Sequence, residues 1–354
     1  MRQGRSRGPR SRKTGRAGRR PGTLAGSGPI ELVRSICILS GSQTLLAETG
    51  TRSMTRLRQA IVQRDTPHLY GHLMDAFSLQ GVSDEAALTY MARHGRARWR
   101  KIKRLMKETS SCPKLASYWS YHGCAYAKLS STCARPDCFG NCCVPTHDLR
   151  NGRLNQLAYS LYLFIRDVAD DDLVGWIDRQ LARAEFRRDA SATQAVNSLV
   201  EPLRNVFGLS HKTLNMALSD VLMAAPRTKP AWLVAGVGMI AVDTLVHNFL
   251  HRTGLVRRLG RKHGYGARCY QDGGCANILR QLAKRIDARE FNPSYPTVFP
   301  RFVQHALWRF CAQQEFNICN GNKIDDHHRC GNSDRPIFAR CDRQALHPLR
   351  IASP

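Results

Sequence analysis

The sequence has no hydrophobic run long enough to cross a bilayer. The longest, Ala231 to Val242, holds twelve residues, two of them glycine, and stops at Asp243; a membrane helix needs about 20. A secretory signal is also missing, since Ile36 to Leu39 is too brief for its apolar core. Convincing period-two alternation is absent, as is any internal repeat, so neither a sheet protein nor a solenoid is expected. Acidic residues are scarce. Asp and Glu number 27 against 54 Lys and Arg, a formal net charge of +27. That excess points to a polyanionic partner, nucleic acid first and an anionic membrane surface second. No long basic amphipathic helix stands out, which argues against the membrane surface.

What the chain does have is apolar content. At 42% hydrophobic over 354 residues, it can build a core for one large domain or two ordinary ones. It also has thirteen cysteines, an odd number that leaves at least one unpaired. Without an export signal a reducing compartment is expected, inside the cell and with DNA, and metal ligation outranks disulfides.

Residues 1–53 differ from the rest, with eleven basic and two acidic residues. Met1 to Ile30 contains no acid and seven glycines, a composition that cannot bury a core. The segment reads as a disordered basic arm, an organelle presequence, or an extension outside a chain that starts at Met54. Residues 54–345 read as a helical body, with a Cys-rich insertion at 108–150 and a Cys-containing C-terminal segment at 265–345; residues 346–354 are a tail. Apolar spacing of three and four predicts helices from Thr66, from Ser83, from Leu154 to Val168, from Leu173 to Leu181, around Val196 to Leu203, after Ser210 and after Asp243. Between Arg93 and Lys107 lie eight basic residues and no acid, either a solvated helix face or a set of phosphate contacts.

Two passages carry the candidate chemistry. Phe207-Gly208-Leu209-Ser210-His211-Lys212-Thr213-Leu214-Asn215 puts Lys212 in the first turn of a helix. The positive end of a helix dipole disfavours an ammonium, and a neutral amine in such a place is a nucleophile able to form a Schiff base with a sugar carbon. Ile240-Ala241-Val242-Asp243-Thr244 puts Asp243 between apolar residues at a helix start. There it serves as an N-cap, as a carboxylate that stabilises a cationic sugar transition state, or as both.

These passages resemble the helix-hairpin-helix DNA glycosylase superfamily, the group that includes endonuclease III. Gly208, His211, Lys212, Thr213 and Asn215 match its hairpin and Lys-Thr-x-Asn step. Val242-Asp243-Thr244, followed by His251-Arg252-Thr253-Gly254, matches its Val-Asp-Thr helix. Gln80, with Ser83 and Asp84, matches an early helix whose Gln enters the vacated base stack. Phe207 and Ser210 replace the hairpin Pro and second Gly. The resemblance implies a mainly α fold of two helical subdomains flanking a cleft, and a monomer acting on double-stranded DNA. Lys212 and Asp243 are then catalytic. Gln80, Gly208, Ser210, His211, Arg252, Arg257, Arg258 and Lys262 contact DNA, along a stretch with no acid between Asp243 and Asp272. The implied activity is removal of a damaged or mismatched base, with an abasic-site lyase step left open. The alternative is a metal-stapled nucleic-acid-binding protein without catalysis.

Several such glycosylases carry a C-terminal iron–sulfur cluster. Cys269, Cys275, Cys311, Cys319, Cys330 and Cys341 follow the candidate site here. The last four are separated by seven, ten and ten residues, wider than the family spacing. A tighter group, Cys133, Cys138, Cys142, Cys143 and His147, lies in the insertion. Either set of donors suits iron–sulfur or zinc, with the element left open; no nucleotide cofactor is expected.

Overall fold

The computed structural model describes residues 28–40, 51–79, 84–108, 112–122, 124, 153–185, 192–333 and 335–347. Among these the chain is mainly helical, with fifteen α-helices and no strand.

The helices begin and end where local chemistry requires. Asp65 caps α3 (Thr66–Ser78; α1 is Gly28–Ser40 and α2 Thr51–Val62) by accepting from the His68 amide, and Pro67 occupies the first turn, where a missing N–H costs nothing. After α4 (Asp84–His94) and α5 (Trp99–Glu108) come the short α6 (Tyr118–His122) and the long α7 (Arg153–Asp167). Asp170 and Asp171 then adopt positive φ and turn the chain into α8 (Leu173–Glu185). The helix α9 (Ala192–Leu203) ends before a loop in which Gly208 takes φ 77°, a conformation open to glycine. Ser210 then caps α10 (His211–Met223), its hydroxyl accepting from the Thr213 amide. The apolar run from Ala231 is α11 (Pro230–Gly238), followed by an extended stretch to Asp243 and then α12 (Thr244–Arg252). The remaining helices are α13 (Leu255–Leu259), α14 (Cys275–Ala283) and α15 (Pro300–Cys311).

Two helices organise the packing. α3 touches α2, α5, α7, α8 and α10, while α15 touches α1, α11, α12 and α14; α10 and α11 pack on each other and join the two groups. A single apolar core runs through both. The aromatic cluster after residue 290 belongs to it: Tyr295, Phe299 and Phe302 are buried and pack ring against ring.

One expectation is corrected. Residues 28–40 are not part of a disordered arm. They form α1, which buries Leu32, Val33, Ile36 and Cys37 against α15. The Arg309 guanidinium also donates to the Ser40 carbonyl at 3.0 Å. Burial of four apolar side chains outweighs the basic composition of the surrounding segment. No described helix is long and apolar enough to cross a membrane.

Candidate functional site

Lys212 opens α10 and Asp243 precedes α12, and the fold brings these two helix starts together. Both side chains are half-buried. Asp243 caps its helix, accepting from the Val246 amide at 2.8 Å. Burial raises its carboxyl above the ordinary carboxylate range, while the Val246 amide and the nearby Lys212 ammonium work in the opposite direction. Capping uses Oδ1; a carboxylate has a second oxygen and spare lone pairs.

Tyr270 links the two starts. Its ring stacks on His211 with centroids 4.5 Å apart and planes 13° from parallel. Its hydroxyl accepts from the Val242 amide at 3.0 Å. One side chain thus touches the residue before Lys212 and the residue before Asp243. Tyr265, 49% exposed, lies within electrostatic reach of Asp243 and packs edge-on against His247, centroids 5.7 Å apart. Neither tyrosine stands out in the sequence, because both sit in an irregular loop with no periodicity to mark them.

The other expected DNA contacts fare differently. Gly208 and Ser210 shape and cap the turn before α10. His211 has its face against Tyr270, and burial lowers its imidazole pKa. Lys262 is exposed. Arg257 and Arg258 both pair with Asp342, Arg257 at 2.8 Å. For Arg252 the expectation is corrected. Its side chain is only 2% exposed, pairs with Asp326 and donates to the carbonyls of Ile324 and Asp325, each at 3.4 Å. A buried guanidinium held this way has no face for a phosphate. Gln80 lies outside the described residues, as does the group Cys133, Cys138, Cys142, Cys143 and His147.

Beside Asp243 stands a set of four donors: His247, His263, Cys269 and Cys275. Their ligand atoms all lie within 4.8 Å of one another, and the group could hold a metal ion such as zinc. His247 lies one turn after Asp243 on α12, Cys275 begins α14, and the other two sit in the loop between. Cys269 and Cys275 are fully buried and His247 is 7% exposed. The Cys275 thiol hydrogen-bonds Cys269 and, with His247, draws the Cys269 thiol down toward thiolate against its burial. Gly274 is required by this loop, since a Cβ there would come within 2.3 Å of the Arg268 carbonyl oxygen. The C-terminal cysteines are arranged more loosely. Cys311 and Cys319 interact thiol to thiol, and Cys341 lies within electrostatic reach of Cys319 and Cys330. The tight set is hard to find in the sequence because its donors are spaced by fifteen, five and five residues, outside common metal motifs. The available signal is the clustering of three histidines and two cysteines between His247 and Cys275, a stretch with a single acid, Asp272.

No family model matches the chain, and neither a curated protein nor a solved structure matches it.

Proposed function

We propose that the chain is a base-excision glycosylase for double-stranded DNA. The observation that carries this reading is that the Lys212 amine, in the first turn of α10, lies within electrostatic reach of the Asp243 carboxyl at the start of α12. In the proposed reaction a damaged or mismatched nucleotide is turned out of the duplex toward these groups. Asp243, ionised, stabilises positive charge developing at the sugar as the glycosidic bond breaks and its electron pair departs with the base. The neutral Lys212 amine bonds to the anomeric carbon in place of the base and gives up a proton. The C1′–O4′ bond of the sugar ring then opens, its electron pair leaving with the ring oxygen, which takes up a proton, and the C=N bond forms. That imine permits strand cleavage by β-elimination, with the 3′ phosphate as leaving group. Lys262 and the exposed arginines supply the attraction to phosphate.

The test is borohydride trapping on abasic duplex DNA, together with excision from a panel of duplexes bearing single lesions. Lys212→Ala should abolish trapping. Asp243→Asn should lower excision by about 100-fold or more and leave binding intact. Because burial raises the Asp243 carboxyl, excision should fall on acidification at a higher pH than an ordinary carboxylate would give, as protonation removes the stabilising charge. Undiminished trapping by Lys212→Ala would overturn the assignment. Salt-sensitive duplex binding with neither trapping nor excision would instead establish the non-catalytic, metal-stapled alternative, which the His/Cys group favours.

A further inference from the structure

We propose that His247, His263, Cys269 and Cys275 bind one zinc ion as a closed structural site, and that the ion anchors the loop carrying Tyr270 so that the helix starts of Lys212 and Asp243 are held together. The catalytic roles of those two residues rest on the preceding proposal; the metal assignment and the anchoring do not.

The distances select the ion. The Cys269 and Cys275 sulfurs stand 3.5 and 3.4 Å from His247 Nδ1, and the Cys275 sulfur stands 3.3 Å from His263 Nε2. A tetrahedral centre with Zn–S near 2.3 Å and Zn–N near 2.0–2.1 Å requires about 3.6 Å between sulfur and nitrogen donors. The cage needs only a slight contraction or expansion to close on a single ion. A two-iron cluster can also take two histidines and two cysteines, but it puts them on separate irons with bridging sulfides between. His247 Nδ1 in contact with both sulfurs leaves no room for that bridge. Two sulfur and two nitrogen donors in a tetrahedron suit zinc.

The surroundings fix the ligand chemistry. His263 Nδ1 lies 2.7 Å from the Arg261 carbonyl oxygen. A carbonyl only accepts, so Nδ1 carries the proton and the Nε2 lone pair faces the site, the usual outer support of a metal-bound histidine. With both sulfurs and His247 buried, all four positions are filled by protein. That is the form of a structural zinc site, with no open position for water or substrate.

The site is also placed to act at a distance. Tyr270 directly follows ligand Cys269, stacks on His211 and receives the Val242 amide. His247 holds the same helix that Asp243 caps. Binding free energy at such a site appears as folding free energy of the segments it joins, here α12, the loop to Cys275 and the start of α14.

Metal analysis of the full-length protein tests the assignment directly. One zinc per chain is expected, lost in Cys269→Ser and in His263→Ala, and retained in Cys311→Ser. Because a ligand variant could misfold, the wild-type protein should also be stripped with a chelator and titrated with cobalt(II), which should give the intense visible bands of a tetrahedral thiolate site. Hydrogen exchange on stripped and zinc-reloaded protein tests the anchoring. Residues 208–214 and 240–247 should exchange on the order of tenfold faster without metal, and α3 should be unchanged. Zinc-free protein, zinc retained in Cys269→Ser, or an iron–sulfur absorption removed by Cys269→Ser would overturn the assignment; unchanged exchange in both segments would overturn the anchoring. Full zinc with no trapping or excision would refute the glycosylase reading and leave the metal site standing.

Discussion

Between Arg93 and Lys107 the chain carries eight basic residues and no acid, and between Asp243 and Asp272 it again carries no acid. The two stretches look alike in sequence and end differently in the fold. The first surrounds an open cleft of about 870 Å³ whose walls include Arg52, Arg56, Arg96, Arg98 and Arg100, with Trp99 packed behind against Tyr70 and Tyr162. Asp75 offsets only Arg96 and Arg98 there. In the second stretch, Arg252, Arg257 and Arg258 are taken up by Asp326 and Asp342, acids that lie seventy to ninety positions further along the chain. A local absence of acid therefore does not make a positive surface. Distant carboxylates can consume the charge, and burial can hide it.

The largest effect that would sharpen this contrast is at Arg252. Arg252→Ala removes a buried guanidinium that ties α12 to Asp326, whose own side chain is 39% exposed, and to two loop carbonyls. It should cost about 1.5–3 kcal/mol and lower Tm by a few degrees in thermal unfolding. A variant of normal stability would show that this cation is not structural. A smaller effect is expected in the cleft. Arg56→Ala and Arg100→Ala should change stability by less than about 0.5 kcal/mol, yet weaken duplex binding and flatten its salt dependence by about 0.9 in log–log slope for each phosphate that is no longer neutralised. An unchanged slope would remove the cleft from the DNA surface. The smallest effect on binding belongs to Asp342→Asn. Its partners Arg257 and Arg258 are 68% and 36% exposed, so the loss should be about 0.5–1 kcal/mol. Two released arginines should raise duplex affinity slightly at low salt; reduced affinity would mean that the pairs orient something DNA needs.

Where the sequence is legible, local signals and tertiary packing agree. Asp243 reads as a cap because a short polar acceptor precedes an apolar stripe, and it caps in the fold. Asp170 to Asp172 interrupt helical spacing where the chain turns from α7 into α8. The family resemblance singles out Lys212 and Asp243, and the fold puts the Lys212 amine within electrostatic reach of the Asp243 carboxyl. The bridging Tyr270 is not singled out, since the contact depends on how an irregular loop folds back over two helix starts. α1 is hidden by its neighbours: Leu32, Val33, Ile36 and Cys37 have helical spacing, but the basic, glycine-rich context outweighs it. The four metal donors are hidden for a related reason. They come from a helix interior, a loop and a helix start, and only the tertiary structure makes them neighbours.

The seat of α1 on α15 has a practical consequence for anyone shortening this polypeptide. A version begun at Met54 would lose Leu32, Val33, Ile36 and Cys37 and with them the cover over part of α15. The uncovered groove would be greasy and wet at once, an adhesive strip on an otherwise cationic particle. Such a trimmed product should clump, and a careless reading would blame the arginines for it.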